Sequence, residues 1–136
     1  MKWDNSLMAF EEDIKNRSFI DWIKSHTSFM KPLHRYEGIF EVNDDTIEFL
    51  GEDVKEKKDY TFRIKTADIE DVKYGYDDVF TGWEDRAAPW NKPLKICFKS
   101  NNNKKCIYLF VSFHRKKVMR SSENEKVCHQ IKSVIE

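Results

Sequence analysis

The chain has few cysteines, few glycines, no long apolar run and no net charge, and each shortage excludes a class of protein. Its three cysteines, Cys97, Cys106 and Cys128, are an odd set without close pairing motifs. Reduced thiols in a cytoplasmic protein are the expectation. Of the four glycines, neither Gly75 nor Gly82 sits in a phosphate-loop pattern. The longest apolar run, Ile107 to Val111, is far too short for a helical span. Asp4, Glu11, Glu12 and Asp13 interrupt the apolar N-terminus, which therefore lacks the core of a signal peptide. Lys plus Arg equals Asp plus Glu at 24 each, which argues against a protein built to track a nucleic-acid backbone.

What is present is apolar bulk. Of 136 residues 40% are hydrophobic, with ten Phe, five Tyr and four Trp, enough for one domain spanning 1–136. Residues 1–31 read as helical. Trp3, Leu7, Phe10 and Ile14 recur at spacings of four, three and four, and Ser18 with Asp21 suggests the start of a second helix. The acidic residues on the first helix favour docking on the domain or a partner over a membrane surface. Pro32 ends the region.

From Tyr36 the period becomes two. Tyr36–Val42 reads as a strand, Asn43-Asp44-Asp45 as a turn, and Thr46–Leu50 as a return strand stopped by Gly51. Glu52 to Asp59 reads as a solvated loop. Tyr60, Phe62 and Ile64 then alternate with polar residues, and Ile69–Tyr74 makes a fourth strand. Leu94, Ile96 and Phe98 lead to Ser100-Asn101-Asn102-Asn103 and back through Ile107, Leu109, Val111 and Phe113. With Asn101 and Asn102 as the turn, Ile96 faces Ile107, Leu94 faces Leu109 and Cys97 faces Cys106. Ser122 and Glu125 fit a capping box for a C-terminal helix that buries Val127, Ile131 and Val134.

The fold class is α+β: an antiparallel β-barrel or strongly bent sheet with N-terminal helices and a capping C-terminal helix. This order resembles pleckstrin-homology-like barrels and their GRAM relatives over 36–136. The stretch Phe62 to Val72, ending in Ile69-Glu70-Asp71-Val72, is similar to the GRAM core. The resemblance implies seven strands, a terminal helix over the open end, and lipid-headgroup or protein binding without catalysis. Six strands are legible; the seventh would lie near Val79–Trp83 or Lys116–Met119. Glu41, Asp44 and Asp45 stand where lipid-binding relatives carry basic residues, so headgroup binding does not carry over.

Catalytic and metal constellations are thin. His26, His34, His114 and His129 are widely spread, and Cys128 and His129 are helical neighbours that point apart. Asp77 to Gly82 fails calcium-loop spacing, because Val79 occupies a ligand position. Opposed Cys97 and Cys106 would be only half a metal site and read as structural thiols. The basic run His114-Arg115-Lys116-Lys117 with Arg120 reads as a solvated turn, lacking the interleaved aromatics of a base-stacking surface.

The segment from Tyr74 to Trp90 is too long for an ordinary connection and too aromatic for disorder. Its candidate partner-binding residues are Tyr74, Tyr76, Asp77, Asp78, Phe80, Trp83, Arg86 and Trp90, types favoured at interface hot spots. The other reading is a segment that folds back and completes the core. The expected function is a non-enzymatic cytoplasmic module that recognises a protein segment, without cofactor, metal, nucleic acid or stable membrane association. A small-ligand or lipid-binding barrel is the alternative, and an enzyme of unrecognised type is third.

Overall fold

The computed structural model describes residues 1–16, 34–81, 92–116 and 119–135. Seven strands form one antiparallel sheet: β1 Lys2–Phe10, β2 Tyr36–Val42, β3 Thr46–Asp53, β4 Lys58–Lys65, β5 Ile69–Tyr74, β6 Leu94–Ser100 and β7 Asn103–Phe110. Their order is β4-β3-β2-β1-β7-β6-β5, and a short pair, β8 His114–Lys116 and β9 Met119–Ser121, stands apart. Helix α1 covers Glu11–Lys15 and α2 covers Asn124–Ile135. The sheet is strongly bent without closing. Phe62 on edge strand β4 reaches Phe10 of β1 at 5.3 Å and Phe98 of β6 at 5.6 Å, across the concave face. A single turn of 3₁₀ helix, Thr66–Asp68, joins the two edge strands β4 and β5.

The main core fills that concave face. Phe40, Phe49, Leu94, Ile96, Ile107 and Leu109 are essentially inaccessible, and Val127, Cys128 and Ile131 of α2 pack onto them. Each such aliphatic or aromatic side chain contributes about 1.5–3 kcal/mol by burial. Val134 is exposed, contrary to expectation, whereas its neighbour Ile135 packs against the core. Asn124, buried at the start of α2, fastens it. Its side chain accepts from Val111 N at 2.7 Å and donates to Lys92 O at 2.8 Å and Leu109 O at 2.9 Å. Ser122 Oγ accepts from Asn124 N at 3.4 Å at the start of the helix.

The N-terminus is the largest correction. Lys2–Phe10 is not a helix but the central strand, and it supplies the seventh strand expected later in the chain. The reason is a bulge. Trp3 pairs with Phe40 and Ser6 with Gly38, so Asp4 and Asn5 oppose Ile39 alone, with Asn5 at φ 53°. The extra residue shifts the alternation, placing Trp3, Met8 and Phe10 together on the main core. Leu7 and Ala9 face the opposite side, where Ile14, Phe80, Tyr108, Phe110 and Phe113 form a second core. Only α1 is helical within residues 1–16, and the second helix expected from Ser18 lies outside the described residues.

Two smaller corrections concern the first sheet. Gly51 does not stop β3, which continues to Asp53, and only Val54–Lys57 form the turn before β4. Within that stretch Glu52, Asp53, Lys58 and Asp59 are strand residues, and the buried Asp53 pairs with Arg35. The basic run is likewise not a plain turn, since Arg115 pairs with Arg120 in the β8–β9 ladder.

The β6–β7 hairpin has the expected register. Asn101 and Asn102 take φ of 51° and 67°, as a two-residue hairpin turn requires, and Ile96, Cys97 and Leu94 face Ile107, Cys106 and Leu109. Counting pairs back from the turn puts Cys97 and Cys106 at a non-hydrogen-bonded position, where strands approach most closely. Their Cα atoms are 4.1 Å apart and the two sulfurs are bonded. The expectation of three reduced thiols is thus corrected: Cys128 alone is free.

Candidate binding groove

The convex side of the sheet carries a groove of about 600 Å³ between α1, the start of β2 and strands β5 to β7. Phe10 and Tyr36 line one end; Lys95, Cys97 and Cys106 lie along it; Glu12, Asp71, Lys73, Lys104 and Lys105 contribute the remainder with the ion pairs described next. Ten of its fourteen lining residues are charged.

Helix α1 builds the first wall. Asp13 Oδ2 accepts from Phe10 N at 3.1 Å, which caps the helix where β1 ends. Lys15 and Glu11 pair one turn apart at 3.2 Å, and Ile14 pins the helix to the second core. This orientation turns Glu11 and Asp13 toward different cations. Asp13 Oδ1 accepts from Arg35 at 2.9 Å, while the same guanidinium donates to Asp53 at 2.9 and 3.3 Å. Asp53 is only 2% exposed and also accepts from Lys55 N and Glu56 N. Burial would raise its carboxyl, but Arg35 and these amides outweigh burial and hold it below the usual range. Arg35 lies 5.4 Å over the Tyr36 ring, which stacks on Tyr60 at 4.0 Å.

The second wall is the segment after β5. Gly75, at φ 145°, lets the chain leave the strand, and its amide donates to Pro93 O at 3.0 Å. Asp77 then organises the loop. Its Oδ1 accepts from Val79 N at 2.9 Å and Phe80 N at 2.7 Å. Its Oδ2 accepts from Lys95 Nζ at 2.6 Å and Tyr108 OH at 2.7 Å. Lys95 also reaches Glu11 at 3.1 Å, so one ammonium ties α1, β6 and the loop together. Burial opposes ionisation of Asp77, yet Lys95, the two amides and Tyr108 hold its pKa at about 2. Burial opposes the Glu11 and Lys95 charges too, and their mutual pairing outweighs it, lowering Glu11 and raising Lys95. Burial and the adjacent Asp77 carboxylate both push the Tyr108 hydroxyl up.

No family model, curated protein or solved structure matches the chain. The site is therefore read from its own geometry.

The residues singled out in the sequence are distributed unevenly. Tyr74 ends β5 half-buried against the main core, and Tyr76 is half-buried on the second core. Asp77 belongs to the groove, Asp78 is exposed beside it, and Phe80 is fully buried against Tyr108 at 5.1 Å and Phe110 at 5.7 Å. Trp83, Arg86 and Trp90 lie outside the described residues. Glu11, Asp13, Arg35, Lys95 and Tyr108 were not anticipated. Alternation along β6 and β7 already placed Lys95, Cys97, Cys106 and Tyr108 on one face, but nothing local linked them to residues 11, 13 or 35. Cys128 is buried and His129 exposed, so the two neighbours do point apart.

Proposed function

We propose that the chain is a non-enzymatic cytoplasmic binding module of the pleckstrin-homology and GRAM kind, recognising a protein segment through the convex groove and the adjoining 74–90 segment. The relation to that family rests on seven antiparallel strands followed by a terminal helix, with the fourth-to-fifth strand passage at Phe62–Val72. The observation that carries the binding reading is the groove's chemistry. Its inner charges, Lys95 with Asp77 and Glu11, and Arg35 with Asp13 and Asp53, are matched within the fold. Exposed charges of both signs, Glu12, Asp71, Lys73, Lys104 and Lys105, line the rest. A pre-organised polar groove of this kind suits a peptide with charges of its own, and electrostatic matching selects among such peptides.

Two observations favour this over the alternatives. Small-ligand pockets are mostly apolar, whereas this groove is mostly charged and the concave interior is occupied by large side chains. General acid–base chemistry wants groups poised near neutrality, whereas Asp77 and Glu11 are moved down and Lys95 up. The acidic residues of α1 would repel a nucleic-acid backbone or an anionic membrane, so a protein is the partner proposed.

The test is selection of displayed peptides on the full chain, followed by affinity measurement. Peptides should lose affinity for a Lys73→Glu, Lys104→Glu double variant and keep it for Arg63→Glu on the far strand β4. Peptides that bind both variants as they bind the parent would place recognition elsewhere.

A further inference from the structure

We propose that Cys97 and Cys106 form a reversible thiol–disulfide pair that exchanges with external thiols through the groove, with the Cys106 sulfur as the point of attack. The inference goes beyond peptide recognition and stands without it.

Three features carry it. The first is redundancy. A disulfide stabilises chiefly by closing a loop in the unfolded chain, and the effect shrinks as the loop shortens. Here the partners are nine residues apart. The same loop is already closed by the Asn101–Asn102 turn and by pairing from Leu94↔Leu109 to Ser100↔Asn103. Strands β5 and β1 flank the hairpin on either side and hold it in place. The thiols would remain cross-strand neighbours after reduction, so the fold accommodates both states.

The second feature is access. Both cysteines line the groove, Cys106 half-buried and Cys97 only 3% exposed. An incoming thiolate therefore meets Cys106 first. The third cysteine cannot serve, because Cys128 packs on the concave core and the sheet separates it from the pair. The exchanging thiol must come from solution.

The third feature is charge. Lys95 and Lys99 flank Cys97 on its own face of β6, and Lys104 precedes Cys106 by two residues on β7. Lys99 and Lys104 are direct cross-strand partners, a like-charge pairing that costs stability in a sheet. Cationic surroundings favour thiolate over thiol, which eases departure of a leaving sulfur. Asp71 lies opposite Cys97 on β5 and works against this, and Lys95 is already matched by Asp77 and Glu11, so the cationic bias comes from Lys99 and Lys104.

The chemistry is two successive displacements. An external thiolate attacks Cys106 Sγ, forming a mixed disulfide as the bond to Cys97 breaks and Cys97 leaves as thiolate. A second external thiolate attacks the external sulfur of that mixed disulfide and releases Cys106 as thiolate. Two thiols are oxidised to one disulfide, and two electrons pass to the cysteine pair. An oxidised disulfide of the same small thiol drives the reverse. In a reducing compartment such pairs are characteristically transient and redox-sensing.

The experiment equilibrates the full chain in glutathione buffers of graded reduced-to-oxidised ratio, then quenches, alkylates and maps thiols by mass. The 97–106 bond should form and break reversibly along one titration curve. Far-ultraviolet circular dichroism and cooperative melting should persist at both ends. A bond that yields only after denaturation, thiols that stay reduced at every ratio, or a chain that unfolds on reduction would each overturn the proposal. For the point of attack, oxidised glutathione should form a mixed disulfide with Cys106 in Cys97→Ser, releasing reduced glutathione, several-fold faster than with Cys97 in Cys106→Ser. The opposite order would overturn that assignment, and the parent titration stands even where a variant folds poorly.

Discussion

Gly38 and Gly51 are cross-strand partners on β2 and β3, and neither has room for a methyl group. A Cβ on Gly38 would lie 2.2 Å from Leu50 O, and one on Gly51 would lie 2.1 Å from Glu37 O. Both contacts are with backbone, which cannot swing aside as a side chain would. The pair lets two strands pass closely where the sheet bends opposite the β1 bulge, since Gly38 itself pairs with Ser6.

Gly38→Ala and Gly51→Ala should each destabilise the chain by about 3 kcal/mol, at the upper end of ordinary overpacking costs. Urea denaturation followed by circular dichroism measures this. Because the clash is mutual, the double variant should cost less than the sum of the two singles. Simple additivity would show that the two positions are strained independently.

The Asp77 network makes stability depend on pH in a defined direction. The folded pKa of about 2 is below the ordinary 3.8, so the contribution is complete above the unfolded value and lost as pH falls through the folded one. Its size is about 2 kcal/mol, from 1.36 kcal/mol per pKa unit. Glu11 and Asp53, also lowered, act in the same sense. Lys95 is raised, so its contribution is present below its ordinary 10.5 and fades as pH rises beyond it. Asp77→Asn should lower stability by about 2 kcal/mol at neutral pH and flatten the acid limb of the stability curve. Denaturant midpoints across the acid range check both; an unchanged acid limb would assign that limb to the remaining carboxylates.

The sheet was legible wherever one face is wet. Along β4 the alternation of Tyr60, Phe62 and Ile64 with exposed Thr61, Arg63 and Lys65 reports burial on one side, and the strand emerges where that pattern placed it. Strand β1 was illegible for two physical reasons. Ser6, Leu7, Met8 and Ala9 are all buried because the strand has a core on each face, which erases alternation. The bulge at Asp4 and Asn5 then shifts the phase, leaving Trp3, Leu7, Phe10 and Ile14 at a spacing that mimics a helix. Asp77 was legible as a candidate from its aromatic, loop-rich surroundings. Its partner Tyr108, and Glu11 which shares Lys95 and Tyr108 with it, stand far away in the chain, and no local pattern encodes a meeting set by β1 and β7 lying side by side.

Headgroup binding offers a separate check on the proposed resemblance. Asp44 and Asp45 are exposed in the β2–β3 turn, which Thr66 fastens through bonds to both of their carbonyls. Their carboxylates are held where an anionic headgroup would need cations. Vesicles containing phosphoinositide should leave the chain unbound in flotation at low salt, the condition that most favours electrostatic attraction. Flotation that requires the headgroup would replace the protein-segment reading with a lipid one.

The described part of the segment, residues 74–81, divides into buried and exposed side chains, and substitution separates their roles. Phe80 is fully buried between Tyr108 and Phe110, so Phe80→Ala should cost about 3–5 kcal/mol and disturb folding before any binding is measured. Asp78 is exposed immediately beside the Asp77 turn, so Asp78→Ala should change stability by no more than about 0.5 kcal/mol. Any effect of that variant on peptide affinity is then an effect on recognition. Trp83→Ala and Trp90→Ala extend the series. If the two indoles anchor a partner, capture weakens while the melting temperature holds. If they cover the core, their melting temperatures fall with that of Phe80→Ala. Peptide affinity and thermal unfolding measured on the same four variants make the distinction. Equal destabilisation by Asp78→Ala and Phe80→Ala would show that both positions are structural and confine recognition there to the groove.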